Sequence, residues 1–225
     1  MWLRQRGKAL YTEDGKLGFD VTDITEWYAF WHDLRKRGAI ASPEVAALDM
    51  GELDTSLLTV GKTAMVFAHS NQLVGFQALL KSKVGMTMYP SGGPGMKHGQ
   101  YLKPSMLLSV YARTKLPEAA VRLVDFYMTD KDAGMILGVE RGVPASAAVR
   151  NAVEPTLDEL GKENTAYVAF VSDKVSPLPV PPPQGAGEIQ TLLRRVNEQI
   201  GFGRLPVPDG AKQFMAEAAA VLARG

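Results

Sequence analysis

The chain has 225 residues, 46% of them hydrophobic, with 25 Lys and Arg against 24 Asp and Glu. A formal net charge of +1 with interspersed charges offers no electrostatic argument for nucleic acid, which would need a basic face. Lack of cysteine excludes disulfides, thiolate metal sites and a cysteine nucleophile. Three scattered histidines, His32, His69 and His98, lack the i, i+4 pairing of a His-rich metal site.

The opening Met1-Trp2-Leu3-Arg4-Gln5-Arg6 carries no long apolar stretch, so no export signal is expected in this chain. No run is long enough to span a bilayer as a helix. Tyr11 to Lys16 reads as a turn around Asp14-Gly15. Asp23 or Thr25 is the candidate cap of the next helix. Its stripe of Trp27, Phe30, Trp31 and Leu34 ends at Arg37-Gly38, and core packing is expected for these aromatics. Ser42-Pro43-Glu44 starts another helix.

Thr63 to Ala68 is a short apolar run, read as a buried strand. It feeds the polar loop His69-Ser70-Asn71-Gln72 and a helix through Leu80. Val84 to Tyr89 is the next expected strand, stopped by Pro90-Ser91-Gly92-Gly93-Pro94-Gly95, a hinge or loop. Ser105 to Tyr111 is the third. Pro117 opens a helix with an apolar stripe of Ala120, Val121, Val124 and Met128, and Asp132 to Leu137 forms a shorter one ended by Gly138. Glu154 to Leu160 suggests a further helix, and Ala166 to Phe170 fits a helix or a strand. Five prolines between Pro177 and Pro183 demand an extended segment. Helices are expected from Glu188 to about Ile200 and from Gly210 to Arg224. Strands alternating with helices make the class α/β.

Catalytic signatures are sparse. Gly61-Lys62-Thr63 has the ending of a phosphate loop, but Ser56 stands where the motif needs its first glycine. No Gly-x-Ser-x-Gly elbow is present. The loop Ser70-Asn71-Gln72 carries more information, because ligands of α/β sheets collect at the carboxyl ends of strands. Its hydroxyl and amides offer donors and acceptors without charge, a match to a neutral hydroxylated ligand. The same residues also suit a helix N-cap at Ser70 or Asn71, and spacing alone leaves the two readings open.

Six segments in fixed order carry a resemblance: RQRGKALYTEDGKLGFD (4–20), EWYAFWHDLRKRGAI (26–40), GKTAMVFAHSNQL (61–73), YLKPSMLLSVYARTKLPEAAVRLVDFYMTD (101–130), ERGVPASAAVR (140–150) and PPPQGAGEIQTLLRRVNEQIGFG (181–203). Together they resemble the extracellular solute-binding proteins of carbohydrate ABC importers, the maltose-binding-like family 1, in their C-terminal portion. The resemblance implies a periplasmic-binding-protein-like (type II) clamshell that closes on a sugar or polyol and is read by an importer permease. It implies neither an enzyme nor a cofactor. It maps ligand contacts onto Ser70, Asn71 and Gln72, onto the Gln184 to Glu188 region, and onto Tyr89 and Arg141. The maltose-binding type places a stacking tryptophan near this loop position; Asn71 here favours hydrogen bonding instead.

By the same resemblance, 1–90 and 130–225 form an incomplete C-terminal lobe, and 91–129 a hinge plus a fragment of the N-terminal lobe. A lone strand-helix unit cannot bury its own apolar face. Leu107, Val110, Val121 and Val124 are therefore expected to be exposed or repacked unless a missing N-terminal lobe or another chain covers 105–128. The full-length protein is expected to be periplasmic, or extracellular and membrane-anchored. Two alternatives stand beside sugar binding. One is a carbohydrate-active enzyme fragment drawing a carboxylate pair from Asp130, Asp132, Glu140 and Glu188. The other is a structural fragment with no ligand.

Overall fold

The computed structural model describes residues 1–93, 95–104, 106–139 and 141–224. Its helices, in chain order, are α1 (Trp2–Gln5), α2 (Val21–Lys36), α3 (Pro43–Ala46), α4 (Leu73–Leu79) and α5 (Pro117–Thr129). These are followed by α6 (Lys131–Leu137), α7 (Ala147–Val153), α8 (Glu159–Val171), α9 (Ala186–Gly201) and α10 (Val207–Leu222). Short 3₁₀ turns occupy Ser70–Gln72 and Glu154–Thr156. The chain forms two units, one of Met1–Val66, Tyr89–Tyr101 and Val175–Gly225, the other of Phe67–Met88 and Leu102–Lys174.

In the first unit, α2, α9 and α10 pack against one another. Ile189, Leu192, Val196 and Ile200 recur every three or four residues along α9, so all four fall on one face. They meet Phe214, Ala218 and Val221 of α10 and Ile24 and Tyr28 of α2. The Tyr28 ring stands edge-on to Phe214, with centroids 6.4 Å apart. Burial pushes the Tyr28 phenol pKa well above its ordinary value, so it stays a neutral donor.

The buried seam of α2 is Ile24 and Tyr28, with Trp27 flanking it. Phe30, expected in the core, is exposed; its ring instead lies 4.8 Å from Trp2 and 5.3 Å from Trp31. The helix is capped by Asp20, three residues before Asp23 and five before Thr25, the two expected caps. Asp20 Oδ1 accepts from the backbone N–H groups of Thr22 and Asp23, and Asp23 Oδ2 accepts from the Asp20 N–H at 2.9 Å. This reciprocal arrangement satisfies donors that the helix itself leaves open. The Lys8 ammonium closes on Asp23 at 2.6 Å.

In the second unit, α6 packs on α7, bringing Ala133 and Gly134 against Val149 and Val153. Helix α8 packs on α4 and on the Ser70–Gln72 turn. Residues 166–170, open between helix and strand in the sequence, lie within α8. Helix α5 touches α6 and α7 yet buries no residue.

The expected strands are where the structure departs from the sequence reading. Among the described residues the β pairing is a single bridge between Tyr11 and Leu17, which closes the Asp14-Gly15 turn. The runs 63–68, 84–89 and 106–111 carry no ladder, and Ser105 and Pro94 lie outside the described residues. Of Thr63 to Ala68, expected to be buried, Thr63 is half-buried and 64–68 are open to solvent, with Met65 81% exposed. A strand exists only where a second strand takes its backbone N–H and C=O groups; here the Thr63 N–H goes to Leu57 O and the Val84 N–H to Gln77 Oε1, so no ladder forms among the described residues.

Candidate functional site

The Ser70–Gln72 turn starts the α4 end of the second unit. Leu73 and Phe76 on α4 are buried and anchor it from below. The turn is closed by its own side chain: the His69 backbone N–H donates to Gln72 Oε1 at 2.8 Å. Part of the Gln72 amide is thereby committed to capping, as in a helix-start box. Asn71 is exposed, and Ser70 and Gln72 are half-buried, so the turn presents a hydroxyl and amides to solvent. That set can exchange hydrogen bonds with hydroxyl groups; it supplies no nucleophile-base pair.

Arg141 lies exposed on the turn between α6 and α7, where the Gly142 N–H donates to Val139 O at 3.0 Å. Both it and the Ser70–Gln72 turn belong to the second unit; Tyr89, Gln184 and Glu188 belong to the first. Gln184 is exposed, just before Gly185. Gly185 has φ of 85°, and a Cβ there would come within 2.7 Å of Val221 Cγ1. Only glycine lets the backbone start α9 this close to α10. Glu188, in the first turn of α9, pairs with Arg224 at 2.7 Å. Arg224 lies just past the end of α10, and a second pair, Arg195 with Glu217, joins α9 to α10 itself. Both pairs line a shallow cleft of about 210 Å³ with Thr191 and Leu192. Exposed pairs of this kind contribute about 0–1 kcal/mol and leave little free charge for a ligand.

Among the carboxylates considered for hydrolysis, Asp130 caps α6, accepting from the Ala133 N–H at 2.9 Å. Glu140 lies outside the described residues.

Tyr89 is half-buried and held through its backbone. Its N–H donates to Gln100 Oε1 at 3.1 Å, and its carbonyl lies 3.0 Å from His98 Nδ1. A carbonyl only accepts, so His98 Nδ1 carries the proton. Gln5 Nε2 donates to the carbonyls of Pro90 and His98, at 2.7 and 3.0 Å. Arg4 Nε donates to Gly99 O at 2.7 Å and Arg4 Nη2 to Pro177 O at 2.6 Å. Pro90, where the segment read as a hinge or loop begins, is thus tied to α1 by the Gln5 side chain. Arg4, Gln5, His98 and Gln100 carry no signal in the sequence, because their partners lie up to 173 residues away and are backbone atoms.

No protein-family model matches the chain. Solved structures do. An extracellular solute-binding protein of family 1 from Alicyclobacillus acidocaldarius is 30% identical, with a TM-score of 0.84. A periplasmic oligogalacturonide-binding protein from Yersinia enterocolitica, in complex with saturated digalacturonic acid, is 19% identical with a TM-score of 0.82. Both matches cover 98% of this chain and 56% of the other. A de novo designed esterase matches at 19% identity with a TM-score of 0.83, so the shared fold alone does not separate binding from catalysis. Among the described residues no helix is long and apolar enough to cross a membrane. Over nearly its entire length, then, the chain has the fold of a part of the extracellular solute-binding proteins of family 1, as the ordered segments of its sequence imply.

Proposed function

We propose that this chain is the sugar- or polyol-binding part of the substrate-binding component of a carbohydrate ABC importer, acting without covalent chemistry. The observation that carries this reading is the 30% identity and TM-score of 0.84 to a family 1 solute-binding protein across 98% of the chain. The uncharged, solvent-facing Ser70–Gln72 turn supports it, with Asn71 as the foremost ligand contact and Ser70 and Gln72 beside it. Tyr89, Arg141, Gln184 and Glu188 are secondary contacts in the same reading. The digalacturonate bound by the Yersinia protein makes acidic sugars part of the candidate class beside neutral ones.

The importer permease is the partner this role requires, and the full-length protein is periplasmic, or extracellular and membrane-anchored. In the full-length protein, the missing N-terminal lobe or another chain covers 105–128, which this chain alone leaves open. Leu107 is 79% exposed and Val121 57%, with Val110 also exposed and Val124 half-buried, an apolar surface that water penalises.

The test is isothermal titration with maltose, galactose and digalacturonic acid, followed by Asn71→Ala. Asn71 makes one or two hydrogen bonds to hydroxyls at about 1 kcal/mol each, so Asn71→Ala is expected to weaken binding about 5- to 30-fold. No heat with any of the three at millimolar concentration overturns the sugar-binding reading. Binding unchanged by Asn71→Ala removes the turn from it.

A further inference from the structure

We infer that Gln100 is a positioning residue, fixing the main chain from which the Tyr89 side chain reaches the ligand; this rests on the sugar-binding reading above. Gln100 is buried, whereas amides of this size ordinarily sit at the surface. Both its ends are engaged. Its side-chain Oε1 takes the Tyr89 N–H at 3.1 Å, and its backbone carbonyl takes the Ser176 N–H at 2.7 Å. One residue therefore ties together three stretches distant in sequence, at 89, 100 and 176.

Those stretches lie at the edges of the segments of the first unit, which begin at Tyr89 and Val175 and end at Tyr101. The tie sits on a framework of its own. Gly99 has φ of 77° and is buried, and a Cβ there would lie 3.1 Å from Gln5 Cγ and 3.2 Å from Arg4 Cβ. The backbone thus approaches α1 as closely as a residue without a side chain permits. Arg4 fills the approach, donating to Gly99 O and Pro177 O while its guanidinium lies 4.9 Å from the Tyr101 ring centroid.

With His98 on the carbonyl and Gln100 on the N–H, both backbone polar groups of Tyr89 are claimed. The main chain at Tyr89 therefore cannot rotate without breaking a hydrogen bond. With the backbone held from both sides, only the two side-chain torsions of Tyr89 are left to be ordered when its ring meets a sugar face.

The experiment uses the full chain, with Gln100→Met removing the acceptor at nearly constant volume and Gln100→Glu keeping it. Gln5→Ala, at a less buried position, loosens the same segment and serves if Gln100→Met fails to fold. Two quantities are read: amide exchange at Tyr89, and affinity for maltose and digalacturonic acid by titration. Gln100→Met, or Gln5→Ala in its place, is expected to speed Tyr89 exchange by 10-fold or more and to weaken the bound probe about 5-fold. Gln100→Glu is expected to restore most of both. Unchanged exchange, or faster exchange with unchanged affinity, overturns the positioning role while leaving sugar binding intact. If neither probe binds the wild type, the sugar-binding reading falls, and the positioning role falls with it.

Discussion

Helices α10 and α5 start alike, each with a proline in the first turn and an acidic residue beside it, Asp209 in one and Glu118 in the other. Each also carries an apolar stripe at helical spacing. Helix α10 buries Ala211, Phe214, Ala218 and Val221 against α9 and α2. Helix α5 buries nothing, although Val121, Leu123, Phe126 and Met128 lie along it. Local signals are thus sufficient to make a helix, while only a partner surface turns an apolar stripe into stability.

Three measurements bear on that contrast. The largest effect belongs to the packed seam: Phe214→Ala removes a ring that is 1% exposed and is expected to cost about 3–5 kcal/mol, read by urea unfolding. A loss below about 1 kcal/mol breaks the picture of α2, α9 and α10 as the core of the first unit.

The second effect is electrostatic and sits at the entrance of α2. Backbone N–H groups of Asp23 and Thr22 hold the Asp20 carboxyl below its ordinary value of 3.8. A carboxyl lowered in the folded state contributes stability that is present above the ordinary carboxylate range and is lost as pH falls through the lowered value. Asp20→Asn keeps the cap but cannot titrate, so its melting temperature is expected to fall less steeply than wild type below about pH 4. Parallel melting curves down the acid limb refute this role for Asp20.

The smallest effect is expected on α5. Val121→Lys replaces a side chain that is 57% exposed and should change unfolding stability by no more than about 0.5 kcal/mol. A loss of several kcal/mol there means that the α5 face is covered in solution, and the contrast with α10 disappears.

Legibility in the sequence followed the distance over which each feature is decided. The ends of α5, α6 and α9 were readable within a residue or two from Pro117, Gly138 and the apolar period of residues 188–200. The sequence points to Asp23 or Thr25 as the cap of α2, whereas Asp20 holds that place, because all three fit the same local pattern and only the reciprocal hydrogen bonds decide among them. The Phe30 ring was assigned to the core because it shares a stripe with Trp27, yet the core faces the Ile24 and Tyr28 side of the helix. Of the candidate site, the sequence marked the Ser70–Gln72 turn by its chemistry, and Tyr89 came from family resemblance. The residues that hold Tyr89 were invisible.

By itself the sequence determined the ends of α5, α6 and α9 to within a residue or two, where the chain must be extended by proline, and which family it resembles, since capping, periodicity and ring constraints act over a few residues. Tertiary structure alone decided which stripes are buried, that Gln72 caps its own turn, and that Gln100 joins three distant stretches. It also decided that three strand-like runs lack a ladder among the described residues. Helical hydrogen bonds close within one turn, whereas strand pairing and buried side-chain bonds need a partner brought from far along the chain.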